Sequence, residues 1–212
     1  LPLEKRKAFD FAINEHARIA SEKSKAENVK MVTSLQGAIS TADFLFECLK
    51  RPRIKSTCYW QLATTSANGT WHMLTKDLNG NIYGTAPYYL YDLLNQALGK
   101  YVRPLSVNSP KAVNESFSYP YSVNAVAFED EEGFLHSVAA LNRSERDAYV
   151  IKLPAQLRLQ KREARFLVLT GPELLSCNSF ARPMVRIEER RISIEKDELV
   201  LPPKCVAAWI WR

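Results

Sequence analysis

A carboxylate at the end of an apolar stretch is the first residue in the sequence whose type and position fit catalysis. Glu15 follows Phe9, Phe11 and Ile13, which alternate with smaller or polar residues at the period of a β-strand. Enzymes built on β/α barrels keep their catalytic groups at the carboxyl ends of such strands. By position alone, Glu15 is a candidate nucleophile, general acid or metal ligand, or it is only a solvated carboxylate.

A second group of candidates follows the predicted strand at residues 54–62. Trp60 and Gln61 close that strand, and an aromatic ring beside an amide suits a sugar, which takes both stacking and hydrogen bonds. The alternative is that Trp60 belongs to the core and Gln61 to the rim. Trp71 and His72 come in the next loop and are weaker candidates for the same pocket.

His16 directly follows Glu15 and either shapes a pocket or anchors a loop. The four cysteines are widely spaced and form no C-x-x-C pair, so we expect no zinc site, and the family resemblance given below implies no metal and no cofactor. The net charge is +6, but basic and acidic residues are interspersed, which does not favour nucleic acid as a partner. No apolar run approaches the ~20 residues of a membrane span, so we expect no membrane partner either.

Strands and helices alternate over residues 1–100, which predicts β/α units. The apolar face of one predicted helix recurs every three or four residues and ends before Pro52: Met31, Leu35, Ala38, Ala42, Leu45 and Leu49. Pro87 opens a second helix, and Gly99 closes it. Residues 101–212 instead contain short apolar runs separated by turns, which predict a β-sandwich. Because a closed barrel needs eight β/α units, two units are only part of one.

Five stretches together resemble a known family. Residues 11–18 and 58–62 are similar to the seventh and eighth barrel strands of the α-L-arabinofuranosidases of glycoside hydrolase family 51. Residues 141–144, 169–180 and 201–206 resemble segments of the C-terminal domain of those enzymes. The resemblance implies the last two β/α units of a (β/α)8 barrel within residues 1–100, followed by a C-terminal β-sandwich within residues 101–212.

The family resemblance also implies a retaining glycosidase with two glutamates about 5–5.5 Å apart. Glu15 matches the nucleophile, and Gln61 matches a residue that contacts the sugar. The acid/base Glu of the family follows Asn after the fourth strand, which would lie upstream of this chain. Asn14 and Glu15 imitate that Asn-Glu pair, but their flanking residues match the seventh strand. His16 and Trp60 depart from the family pattern and leave the sugar specificity open.

We therefore expect an arabinose-containing carbohydrate as substrate. The missing N-terminal barrel segment would be supplied covalently upstream or by a partner chain, and this chain alone would be inactive. Open strand edges also favour an oligomer. The alternative from a different functional class is a non-catalytic carbohydrate-binding or structural β-sandwich module.

Overall fold

The computed structural model describes residues 10–16, 25–67, 72–113, 118–119, 121–154, 162–194 and 196–211. Phe9 and Trp71, which the sequence analysis singles out, lie outside these ranges. No helix in the described part of the chain is long and apolar enough to cross a membrane.

Two neighbouring strands are parallel, as the β/α pattern predicts. Strand β1 (Phe11–His16) pairs with β2 (Ile54–Tyr59), with Phe11 opposite Ile54 and His16 opposite Tyr59. The carboxyl ends of the two strands therefore lie next to each other, at the same end of the pair. β2 ends at Tyr59, earlier than the predicted limit at residue 62, so Gln61 lies just beyond the strand.

The predicted helix that ends before Pro52 is broken into two helices. Helix α1 (Lys25–Thr33) ends before Ser34, and α2 (Leu35–Leu49) begins after it. The Ser34 hydroxyl accepts a hydrogen bond from the Gly37 amide, which caps the new helix. A Cβ atom on Gly37 would lie 2.1 Å from the Val32 carbonyl oxygen, so this close corner requires glycine. Helix α3 (Ala86–Ala97) has Pro87 in its first turn, as predicted.

Between β2 and α3 the chain forms a small sheet that the sequence analysis missed. Strand β3 (Ala63–Ala67) pairs with β4 (Leu74–Lys76), and β4 pairs with β5 (Ile82–Gly84). The turn between β4 and β5 is held by the Asp77 carboxylate, which accepts hydrogen bonds from the Asn79 and Asn81 amides. Asn79 and Gly80 mark this turn in the sequence, but three-residue strands carry too little periodicity to identify.

The C-terminal half is dominated by one antiparallel sheet of six strands. Its strands are β6 (Tyr101–Pro104), β9 (Val123–Glu129), β10 (Leu135–Asn142), β12 (Glu163–Thr170), β13 (Arg186–Ser193) and β15 (Cys205–Ile210). Their spatial order is β13-β12-β15-β10-β9-β6. Two further antiparallel pairs join β7 (Ala112–Val113) to β8 (Ser118–Tyr119), and β11 (Tyr149–Lys152) to β14 (Glu198–Leu201).

Both faces of the six-stranded sheet are covered, and each covering layer is different. On one face, α2 and α3 pack onto the sheet, with Phe46 and Leu90 in the same core as Leu167. On the other face, the β11–β14 pair packs over Trp209, with Leu199 in that core. The strand-rich C-terminal half agrees with the expected β-sandwich. Its helix-covered face means that the segments divided at residue 100 in our prediction share a core.

Candidate active site

Glu15 and Gln61 lie at the carboxyl ends of adjacent parallel strands. The backbone N–H of Trp60 donates to the carbonyl oxygen of His16 at 3.1 Å, so the strand pairing continues to the level of Glu15. The Glu15 side chain is exposed. Within the described ranges, no hydrogen bond or ion pair engages its carboxylate. Within the described part of the chain, the Glu15 side chain is therefore open to solvent.

Gln61 is oriented by His72, a contact that joins two of the sequence-predicted residues. The Gln61 Oε1 atom lies 2.8 Å from His72 Nε2, so the ring nitrogen donates to the amide oxygen. The His72 carbonyl oxygen in turn accepts from the Thr85 hydroxyl at 2.9 Å, just before α3 begins. With its oxygen engaged by His72, the Gln61 amide keeps its two N–H donors for another partner.

His16 packs against the helices. The register of β1 against β2 shifts between Ile13 and His16, so the position of the His16 ring follows from its contacts. Its ring centroid is 4.5 Å from that of Phe44 on α2, and its Nε2 atom is 3.1 Å from the Tyr91 hydroxyl on α3. Burial lowers the pKa of His16, which keeps the imidazole neutral. The structure thus places His16 against the helices, apart from Gln61 and His72.

Two tyrosines complete the packing beneath the strand ends. Tyr59 contacts His16 edge-on at 5.5 Å between ring centroids, and Tyr91 lies 6.0 Å from Tyr59. Burial raises the pKa of both phenols, so both stay protonated. The four rings, including Phe44, hold the end of β1 against α2 and α3.

Trp60 is 37% exposed, so the interpretation as a core residue is wrong. Its peptide bond to Gln61 is cis. Phe11 and Leu62 are also exposed, at 55% and 64%. Parallel strands are normally buried on both faces, so this amount of exposed apolar surface is unusual for a parallel pair.

The described residues contain no group of three or more His, Cys, Asp or Glu side chains arranged to hold a metal ion.

The sequence analysis missed a partly buried polar cluster that joins α2 to the six-stranded sheet. Arg143, whose side chain is 6% exposed, follows β10 and pairs with Asp43 of α2 at 2.5 Å. The Asp43 carboxylate also accepts from the Tyr121 hydroxyl at 3.0 Å and from Asn124 Nδ2 at 2.7 Å. The Arg143 guanidinium lies over the Tyr121 ring, 5.0 Å from its centroid. Burial and the Asp43 carboxylate raise the pKa of Tyr121 to about 12.

This cluster, Asp43–Arg143–Tyr121–Asn124, lies one residue away from the packing beneath Glu15. Asp43 precedes Phe44, whose ring contacts His16, and His16 follows Glu15. The sheet is therefore linked to the end of β1 through α2. Arg143 lies in one of the stretches that resemble the family, but nothing in its sequence pattern identifies a partner 100 residues away.

A family model for the alpha-L-arabinofuranosidase C-terminal domain matches residues 11–204. The match includes Glu15, Gln61 and five strands of the six-stranded sheet, and it ends just before β15. The sequence has no significant match among curated proteins.

Solved structures of glycosidases share the fold. An α-L-arabinofuranosidase from Thermotoga maritima, in an arabinose complex, is 19% identical with a TM-score of 0.72, over 97% of this chain and 43% of that chain. A family 51 α-L-arabinofuranosidase from Thermotoga petrophila RKU-1 is 20% identical with a TM-score of 0.73, over 99% and 44%. A family 44 xyloglucanase from Paenibacillus polymyxa is 12% identical with a TM-score of 0.55, over 95% and 32%. The chain thus spans less than half the length of these structures.

Proposed function

Because the chain belongs to the alpha-L-arabinofuranosidase C-terminal domain family, we propose that it is the C-terminal part of a retaining glycoside hydrolase of family 51. The enzyme would cleave terminal α-L-arabinofuranosyl residues from arabinose-containing polysaccharides or oligosaccharides. The observation that carries the proposal is the placement of the exposed Glu15 beside Gln61 at the carboxyl ends of two parallel strands.

In the proposed reaction, Glu15 is the nucleophile. Its carboxylate attacks the anomeric carbon while a second Glu, in the upstream barrel, protonates the leaving oxygen. A covalent glycosyl-enzyme forms on Glu15. The second Glu then takes a proton from water, which attacks the anomeric carbon and releases arabinose with retained configuration. The exposure of Glu15 supports this role, because within the described part of the chain no hydrogen bond or ion pair engages its carboxylate.

Gln61 would bind the sugar through its NH₂ group. His72 donates a hydrogen bond to the amide oxygen of Gln61, so the orientation of the amide is fixed before the sugar binds. Trp60, 37% exposed, is available to contact the same sugar or its neighbour. Trp71 stays a candidate from the sequence. His16 would act indirectly, by holding β1 against Phe44 and Tyr91.

The remaining barrel strands would complete the site. β1 and β2 form a two-stranded parallel sheet whose exposed residues include Phe11 and Leu62. An upstream segment or a partner chain that adds strands to this pair would cover its edges and bring the acid/base Glu within reach of Glu15. In this proposal the chain is inactive without that segment, and its open edges favour association with other chains.

Trapping the covalent intermediate tests the proposal directly. The full-length protein is incubated with a 2-deoxy-2-fluoro-α-L-arabinofuranoside that carries a good leaving group. The fluorine slows both the formation and the hydrolysis of the glycosyl-enzyme. The good leaving group speeds its formation again, so the glycosyl-enzyme accumulates. We expect peptide mass mapping to find one fluoropentosyl group on Glu15. Hydrolysis without any label, or a label on another carboxylate, would contradict the assignment.

Gln61→Ala should weaken catalysis less than loss of the nucleophile does. One hydrogen bond to a neutral hydroxyl contributes about 0.5–1.5 kcal/mol, which corresponds to a decrease in kcat/KM of about two- to tenfold, and to more if the bond strengthens in the transition state. His72→Ala should produce part of the same loss, because the Gln61 amide is then free to rotate. Unchanged kinetic constants for Gln61→Ala would mean that Gln61 does not contact the sugar.

A further inference from the structure

A cleft of about 430 Å³ lies between α1, the β4–β5 hairpin and the loop at residues 173–184. It is separate from the Glu15 carboxylate, which is not among its lining residues. The cleft is connected to Gln61 of the proposed active site through two hydrogen bonds. Thr85, which lines the cleft, donates from its hydroxyl to the carbonyl oxygen of His72, and the His72 ring orients Gln61.

Buried polar side chains converge on this cleft. Five of its lining residues are polar and at most 8% exposed: Thr33, Thr75, Thr85, Ser176 and Asn178. Four of the five carry hydroxyl groups. Bonds within the protein hold these side chains in place: Thr33 donates to the Val29 carbonyl oxygen, and Asn178 donates to those of Gly84 and Val185. A hydroxyl that donates within the protein keeps lone pairs that can accept from a ligand. A few fixed polar groups around a cavity are typical of a binding site.

The remaining wall is aromatic and apolar, with balanced charge. Tyr83 lines the cleft, and its pKa is raised by burial, so its phenol stays protonated. Leu175, 39% exposed, forms part of the rim. The lining includes one cation, Lys30, and one anion, Glu173. Neutral hydroxyls, an aromatic ring and no excess charge fit a neutral polyhydroxylated ligand better than a phosphate or a cation.

We propose that this cleft is a second carbohydrate-binding site, which takes a neutral oligosaccharide. The volume falls within the roughly 300–1,000 Å³ of small-molecule sites. The choice of an arabinose-containing chain as the ligand rests on the function proposed above. Binding there would hold a polymer to the enzyme at a position other than that of the terminal residue cleaved at Glu15.

Cys177 provides a readout from inside the cleft. Its thiol lines the cavity and donates to the Lys30 carbonyl oxygen at 3.3 Å, and Cys58 on β2 is exposed and lies outside the cleft. The full-length protein carrying Glu15→Gln, which should not consume the ligand, is alkylated with iodoacetamide with and without arabinotriose. Cys58 lies two residues before Trp60 and therefore reports on the proposed active site. We expect arabinotriose to slow alkylation of Cys177 saturably, and to do so equally when Gln61→Ala is added to weaken binding at the active site. Equal rates with and without the sugar, or protection of Cys177 that is lost with Gln61→Ala, would overturn the proposal.

A matched pair of variants identifies the polar contacts. Thr75→Val removes a hydroxyl from the cleft, and Thr41→Val removes one from α2, outside it; both threonines are 4% exposed. The quantity compared is the arabinotriose concentration that gives half of the maximal protection of Cys177. We expect Thr75→Val to raise this concentration about fivefold, the effect of one lost hydrogen bond, and Thr41→Val to leave it unchanged. Leu175→Ser changes the exposed rim without creating a buried cavity and should also weaken protection. Protection that is the same in Thr75→Val and Leu175→Ser as in the parent would reject the cleft as the site.

The two proposals fail separately. Hydrolysis that depends on Glu15, without protection of Cys177, would remove the second site and leave the enzyme. Protection of Cys177 in a protein that does not hydrolyse arabinofuranosides would support the second site and remove the proposed enzyme.

Discussion

Glu15→Gln should lower the kcat of the full-length protein on an aryl α-L-arabinofuranoside by about 10⁴-fold or more, the scale of loss when a covalent catalyst loses its nucleophile. Glutamine has the shape of glutamate but cannot form the glycosyl-enzyme. Because Glu15 is exposed and makes no hydrogen bond or ion pair within the described residues, the free energy of unfolding should change little. Glu145→Gln, at an exposed position in the loop after β10, is the control and should keep full activity. Near-normal turnover by Glu15→Gln would remove Glu15 as the nucleophile.

Azide distinguishes the two roles open to Glu15: nucleophile, as its flanking residues imply, or acid/base residue, as its Asn-Glu pair would imply. In Glu15→Ala, azide can occupy the space left by the carboxylate and attack the anomeric carbon from that side. If Glu15 is the nucleophile, the product is the azide of inverted, β configuration. If Glu15 were the acid/base residue, azide would attack the intact glycosyl-enzyme and give the retained, α product. The anomeric configuration of the azide, read by NMR, therefore decides between the two roles.

Arg143→Met should lower the free energy of unfolding by about 3–5 kcal/mol, because removing one partner of a buried ion pair leaves the other charge uncompensated. The Arg143 side chain is 6% exposed and that of Asp43 is 21% exposed. Tyr121 and Asn124 would still donate to Asp43, which places the expected effect near the lower end of the range. Denaturant unfolding, followed by the near-UV signal of the aromatic residues, measures the loss.

Two comparisons separate the ion pair from general disruption at Arg143. Arg146→Met changes an exposed arginine in the same loop and should cost less than about 0.5 kcal/mol. Asp43→Asn combined with Arg143→Met should be less destabilising than the sum of the single variants, because the two residues share one interaction. Additive effects would show that the pair does not act as a unit.

The same cluster has a consequence for catalysis. Asp43 adjoins Phe44, which packs on His16 beside Glu15. Loosening α2 from the sheet should therefore affect the position of Glu15 as well as stability. This link gives the C-terminal sheet a part in holding the proposed nucleophile, although the sheet contributes no residue to the reaction.

Several parts of the fold follow from local patterns in the sequence. The alternation that ends at Glu15 and the run before Gln61 identified two parallel strands. The period of Leu35, Ala42 and Leu49 identified the long helix α2. Pro87 and Gly99 marked the limits of α3. These features depend on residues within a few positions of one another, so periodicity and backbone preferences are enough to determine them.

The rest was decided by contacts between residues far apart in the chain. Contacts with Phe44 and Tyr91 determine where the His16 ring lies. A hydrogen bond between Gln61 and His72 determines the orientation of the Gln61 amide. Contacts between distant residues also determine that helices cover one face of the six-stranded sheet and that the β11–β14 pair covers the other. Apolar residues in strands such as β9 and β15 specify burial on both faces, but any apolar layer satisfies that requirement. Which layer covers each face, and which carboxylate meets Arg143, is therefore determined by tertiary packing alone.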